Sequence, residues 1–221
     1  LNGNPRDISS ISSRQKEYIY YVTKKLLDDT VRLWAEWHGE KAISDQRDAE
    51  LIENDEITIA GGEDGFAELL RNPNMYQKYK TQNQVLEEII DNGLCNIANE
   101  VGTQKIGNPY REQDVYAVES WYSFNSLDDY ENNIISIENS YLGGPAATRK
   151  SETSMSAYVA SKNSDLDAEI TKAISDARKA IRDIPAPFRD QVTKGKVATI
   201  DTAMDKLAEL NKSLKKIKSV L

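Results

Sequence analysis

Any catalysis in this chain has to come from very few side chains. There is one histidine, His38 in EWHGEK, and one cysteine, Cys95. A zinc helix of the HExxH type needs two histidines one turn apart so that both nitrogens reach one metal, and a single histidine cannot supply that. The only imidazole stands beside Gly39 at a predicted helix end, which suits a capping or surface role better than the base of a Ser-His-Asp arrangement. Neither a P-loop nor a GxGxxG spelling occurs. One cysteine excludes an intrachain disulfide and any multi-cysteine metal site.

What remains is chemistry of hydrogen bonding. In SLDDYENNIISIENSYLGG, Ser126 to Gly144, the residues Leu127, Tyr130, Ile134, Ile137 and Tyr141 fall together on a helical wheel. Asp129, Asn132, Ser136, Asn139 and Ser140 lie roughly opposite, with Asn133 beside them. A face that merely meets water is usually written with Lys and Glu. This one is written with amides and hydroxyls, and no Lys or Arg occurs from Glu112 through Thr148. That gap holds seven acidic residues and the aromatics Trp121, Tyr122, Phe124, Tyr130 and Tyr141. Two readings stay open: a surface that meets protein, ligand or metal, and a buried polar seam whose amides only satisfy neighbouring backbone.

The elements that must position this face are helices. A capping-box spelling at Ser12-Ser-Arg-Gln15 opens a segment with Ile19, Val22, Leu26, Leu33 and Trp37 at helical spacing, which Gly39 ends. From Glu40 to about Asn74 the periodicity fails; Gly61-Gly62 reads as a turn and GFAELLRN as a short helix. A second capping box, Thr81 to Gln84, starts a helix predicted to stop at Gly102, followed by an irregular aromatic stretch until Ser126 caps the next helix. Two further stripes follow. One runs through Leu166, Ile170, Ala173, Ile174, Ala177, Ile181 and Ile184 to a break at Pro185 and Pro187. The other runs through Val197, Ile200, Met204, Leu207, Leu214, Ile217 and Leu221, with lysines in its last turns. No alternating strand pattern is present. The predicted fold is all-α, helices burying their stripes as a bundle, with a helix over 1–39, an irregular connection over 40–80 and a helical bundle over 81–221.

Composition bounds the function. The chain has 221 residues, 39% hydrophobic and 29% charged, a formal net charge of -8 and a mean hydropathy of -0.62. An acidic balance of 36 carboxylates against 28 basic residues argues against binding nucleic acid, which calls for a basic patch. No apolar run approaches the roughly 20 residues that span a bilayer, and no signal peptide is evident. The first residue is Leu1, and LNGNPRDISS reads as a loop entering a helix, so a processed or fragmentary piece of a longer chain is expected.

The run NNIISIENSYLG, the preceding ESWYSFNSLDD and the earlier EVGTQKIGNP resemble the C-terminal half of imelysin-family proteins, and most of all the imelysin-like lipoproteins of gut bacteria. KYKTQNQVLEEIIDNGLCNIANEVG and SMSAYVASKNSDLDAEITKAISDARKAIRDIPAPF extend the resemblance through nearly the whole chain, while the N-terminal third matches less specifically. The resemblance implies an all-helical protein of two bundle-like halves, exported, periplasmic or lipid-anchored at the outer membrane, and linked to iron or haem uptake. It implies that iron, haem or another divalent metal could be the cofactor, and that partners are the missing N-terminal half and iron- or haem-uptake proteins. The family is often labelled a metallopeptidase through a GxHxxE motif, which this chain lacks: Gly39, Glu40 and Lys41 follow His38. Carried over residue by residue, the cleft between the halves would be lined here by Glu119, Tyr122, Ser123, Asn125, Asp129, Asn132, Asn133, Ser136, Asn139 and Tyr141, with Asp129 or Glu119 as weaker metal candidates. A binding module, a metallopeptidase complete only with the motif segment, and a structural scaffold are the three readings carried forward.

Overall fold

The computed structural model describes residues 7–53, 64–72 and 79–221, and among these residues there is no strand. The predicted turn at Gly61-Gly62 and the loop Leu1 to Arg6 lie outside them. By internal contacts the chain divides into two units, one of them Asn4–Val85 and the other essentially Leu86–Leu221.

In the first unit, α1 (Ser13–His38) opens with the predicted capping box: Gln15 N–H donates to Ser12 Oγ at 3.3 Å, and Ser12 N–H to Gln15 Oε1 at 3.0 Å. The connection after Gly39 carries more regular structure than its broken periodicity suggests, with α2 (Gln46–Glu53) and α3 (Gly65–Arg71). A Cβ on Gly65 would lie 2.2 Å from Gly39 N, so only glycine lets α3 start against the end of α1. A small core gathers on Ala35, with Val31, Ile43, Leu51 and Ile52 around it. The stripe expected to be buried on α1 is exposed instead: Ile19, Val22, Leu26, Leu33 and Trp37 all face outward, as do Tyr18, Tyr20, Tyr21 and Trp34. The short α2 and α3 are too small to cover a helix of 26 residues.

The second unit is built on a long helical run, α4, over residues 82–112. It alternates α-turns with two π-helical segments, Ile89–Cys95 and Val101–Gly107. The predicted stop at Gly102 does not occur; the helix continues until Gln113 takes the left-handed conformation. Gly102 serves packing instead, because a Cβ there would lie 3.1 Å from Leu207 Cβ. After α5 (Ser126–Leu142) come the short α6 (Met155–Lys162), then α7 (Ser164–Arg182) and α8 (Ala198–Lys215). Asn163 caps α7 through Leu166 N–H at 3.0 Å. α4, α5, α7 and α8 pack around one core to which α5 contributes Tyr130, Ile134, Ile137 and Tyr141, α7 contributes Leu166, Ile170, Ile174 and Ile181, and α8 contributes Ile200, Leu207, Leu210 and Leu214. Burying each such aliphatic side chain stabilises by about 1.5–3 kcal/mol. The break after α7 is where the prolines predict it, and it sends Phe188 into the core edge-to-face against Tyr130 with ring centroids 5.6 Å apart.

Candidate functional site

The polar face of α5 and the loop before it are held as one piece, and Asp129 holds them. Its carboxylate accepts from the Ser120 hydroxyl and from Asn125 Nδ2, the latter at 2.6 Å. Ser126 does not cap α5 as its position suggests: its hydroxyl donates to Glu119 O, and Asn125 stands at the cap without accepting a bond from the helix's free backbone N–H groups. Ser120 and Phe124 adopt left-handed φ angles of 54° and 63°, which costs roughly 1–2 kcal/mol for each non-glycine residue. The surrounding bonds offset this. Phe124 N–H donates to Ser120 O at 3.0 Å and the Ser123 hydroxyl to the same oxygen at 3.2 Å. From the segment after the proline break, Arg189 donates Nη1 to Trp121 O at 2.9 Å. Its guanidinium carbon lies 3.7 Å from the Phe124 ring centroid and 4.3 Å from that of Trp121. Tyr116 stacks on Trp121, yet Tyr116 and Tyr122 remain 82% and 71% exposed.

Each residue singled out from the sequence can now be placed. Tyr122, Ser123, Asn125, Asn132 and Ser136 are exposed, and Asp129, Asn133 and Asn139 half-buried. Glu119 is exposed but engaged, accepting from Lys105 Nζ at 2.7 and 2.8 Å. Burial alone would lower the Lys105 pKa, but Glu119 and then Glu100 raise it above the ordinary lysine value. Asn133 Nδ2 donates to Asp129 O at 3.1 Å and the Ser136 hydroxyl to Asn133 O at 2.6 Å, both within the helix itself. Tyr141 belongs to a different surface. It is fully buried on the core side, its hydroxyl donating to Asp167 Oδ1 at 2.8 Å beside Ser156, and burial together with Asp167 pushes its pKa well above the ordinary tyrosine value. Ser120, Trp121 and Arg189 are the residues that sequence reasoning missed. Trp121 lay in the noted aromatic stretch, but nothing in the spacing of Arg189, 68 residues away, points to it.

The polar face is therefore not a buried seam. Asn132→Ala and Ser136→Ala should each leave stability within about 0.5 kcal/mol of wild type, as surface substitutions do. Urea denaturation checks this, and a loss of about 1–3 kcal/mol would restore the scaffold reading.

Among the described residues no group of three or more His, Cys, Asp and Glu side chains converges to hold a metal. Asp129 is saturated by the loop and Glu119 by Lys105, so the described residues do not by themselves fit a metal centre. What the face can do is present amide and hydroxyl donors and acceptors, flanked by exposed tyrosines on a preorganised loop.

A family model described as imelysin matches residues 4–214. The chain belongs to the imelysin family. An imelysin peptidase from Bacteroides ovatus is 43% identical, covering 73% of this imelysin chain and 46% of its own, with a TM-score of 0.65. A Parabacteroides distasonis protein named as an iron-regulated protein A precursor is 30% identical over 100% of this chain and 60% of its own, with a TM-score of 0.79. The iron-regulated protein A of Synechococcus elongatus is 30% identical over 144 residues, 62% of this chain and 38% of that protein. The chain thus spans less than two thirds of the length of these imelysin relatives. Among the described residues, no helix is long and apolar enough to cross a membrane.

Proposed function

We propose that this imelysin chain is part of an exported protein linked to iron or haem uptake, periplasmic or lipid-anchored, and that it binds a ligand or partner through the α5 face and its aromatic loop. The observation that carries this is the loop itself: two left-handed non-glycine residues are maintained by Asp129 and Arg189 while the tyrosines beside them stay exposed. Strain held in place by so many bonds, next to solvent-facing aromatics, is the pattern of a prearranged binding surface. The names of the relatives supply the link to iron. The exposed apolar side of α1 supports a further helical partner for this chain, of the kind that the extra length of the relatives could provide.

A peptidase reading rests on the name of the Bacteroides ovatus relative and stands second, because the described residues offer neither a metal cluster nor a credible base. One set of measurements separates the readings. The full-length protein is titrated with haem, Fe(II) and Fe(III), alone and as the Tyr122→Ala/Asn132→Ala/Asn139→Ala variant, and assayed for peptide hydrolysis. Micromolar binding of one of these, weakened about tenfold or more in the variant, is expected. Binding that is absent, or indifferent to the three substitutions, sinks the proposal, and metal-dependent hydrolysis would favour the peptidase.

A further inference from the structure

Away from the α5 face, a cavity of about 490 Å³ opens between α4 and α8. Its position follows from the irregular helix. α4 and α8 run antiparallel, since Asn211 Nδ2 donates to Cys95 O at 2.7 Å while Gly102 sits against Leu207. The stretch Asn96–Glu100 between these two contacts is α-helical, and from Val101 through Gly107 π-helical turns replace the regular α-repeat. Such turns are rare and concentrate at functional sites. Small residues lie at its base: Ala98 and Gly102 from α4 are buried there with Leu207, and the exposed Ala208 and half-buried Met204 of α8 supply its accessible apolar surface. Gly107 serves the same end of the cavity differently, because a Cβ there would come within 2.9 Å of Arg111 Nη1.

The rim is mostly cationic. Arg111 stands at the Met204 end, where Asp205 is the one carboxylate of the lining. Lys212 and Lys215 stand at the other end, about 16 Å along α8 from Met204 to Lys215 at 1.5 Å per residue. Among the described residues none of these three cations is in an ion pair, whereas Lys105, Lys206, Lys216 and Lys218 of the same unit all are. In a chain of net charge -8, a groove with apolar surface and two lysines outside any ion pair at one end suits a guest that is both apolar and anionic. Its volume lies within the range of small-molecule sites, and Asn211, buried and fixed by its bond to Cys95, supplies a rigid polar wall beside the lysines.

We propose that the α4–α8 groove is a binding site for a free amphiphilic acid, its carboxylate or phosphate held by Lys212 and Lys215 and its apolar chain laid along Ala208 and Met204, above the buried Ala98, Gly102 and Leu207. At the far end the charges of Arg111 and Asp205 offset each other, so the lysine end is the one that attracts an anion. This site shares no residue with the α5 face, so its fate is independent of the function proposed above.

Calorimetric titration of the full chain tests it, with dodecanoate below its micellar concentration as probe and dodecanol and acetate as comparisons. Dodecanoate should bind, and the comparisons should bind about tenfold or more weakly, since each omits one of the two recognised parts. Lys212→Gln/Lys215→Gln should weaken dodecanoate by about tenfold or more. Ala208→Trp, which fills the groove from an exposed position, should abolish binding while circular dichroism stays unchanged. Absence of dodecanoate binding, binding equal to that of dodecanol, or binding unaffected by these variants overturns the proposal. So does attachment to anionic phospholipid vesicles without monomer binding, which would make the lysines a membrane contact.

Discussion

Gly143→Ala is expected to destabilise the Leu86–Leu221 unit by about 3 kcal/mol, among the largest losses available to a one-methyl change. Gly143 ends α5 with φ of 93°, a left-handed conformation that costs an L side chain roughly 1–2 kcal/mol by itself. The rest comes from space. A Cβ there would stand 2.5 Å from Lys150 O and 3.0 Å from Ser154 Cβ, against backbone that returns to meet the helix end. Those contacts cannot simply open, because Lys150 N–H donates to Gly143 O at 2.9 Å while the N–H groups of Gly143 and Gly144 both donate to Asn139 O. Gly195→Ala is the matched control: φ is 74°, but nothing lies within 4 Å of the added methyl, so only the conformational cost of about 1–2 kcal/mol applies. Urea midpoints at unchanged slope give both numbers. Equal losses at the two glycines would show that the clash at Gly143 is relieved by movement and that the C-terminal anchor of α5 is softer than its bonds imply.

That glycine also shows which parts of the molecule are legible in the amino acids. The end of α5 at Gly143, the break at Pro185 and Pro187, the capping box at Ser12 and the buried stripes of α5, α7 and α8 all follow from local rules, because each depends on a residue and its neighbours within a turn or two. α4 misled the same rules. Gly102 looks like a helix stop when only φ freedom is considered, and its real reason is Leu207, more than a hundred residues away and visible only after the helices meet. The π-helical turns have no sequence period at all. α1 misled in the other direction: its apolar stripe at Ile19, Val22, Leu26 and Leu33 is correctly helical, but a period cannot say that none of the described short helices after it will cover that face.

The candidate site divides along the same line. Asn132 and Ser136 could be picked out as unusual because a face without lysine and glutamate is a compositional fact. Their neighbours' roles were not readable. Ser126 looks like a cap and is instead a strut to Glu119 O; Asp129 looks like a metal carboxylate and is the anchor of the loop. Tyr141, carried over with the amides, sits too far round the helix and reaches Asp167 in the core. A side chain's partner is set by tertiary approach, and for Arg189 that approach joins residues 68 positions apart in sequence.

The charge gap from Glu112 to Thr148 has its answer in other elements, and that leads to the second large effect. Arg178 on α7 donates Nε and Nη2 to Glu131 Oε1 at 3.2 and 2.8 Å and Nη1 to Glu138 Oε2. Arg149 Nη2 reaches Glu138 Oε1 at 3.0 Å, and Arg182 also reaches Glu131. The side chains of Arg178, Glu131 and Glu138 are 26%, 16% and 17% exposed, between the surface regime, where a pair contributes under about 1 kcal/mol, and the buried one, where removing one partner costs about 3–5 kcal/mol. Arg178→Met should therefore cost about 2 kcal/mol near neutral pH, and Arg178→Lys should recover less than half of it, because an ammonium cannot fork between two carboxylates. Burial raises the Glu138 pKa, and the bonds from Arg149 and Arg178 outweigh it, leaving the carboxyl below its ordinary 4.5. A depressed carboxylate stabilises the fold above its unfolded pKa, and that contribution is lost as pH falls through the folded one. The gap between wild type and Arg178→Met should accordingly hold from about pH 7 to 5 and narrow as pH falls further toward about pH 3. Urea midpoints at those three values measure it. A gap that persists undiminished at the acid end would mean that Arg178 acts through the packing of its aliphatic stem against α5, and ion pairing between helices would no longer account for the absence of basic residues from Glu112 to Thr148.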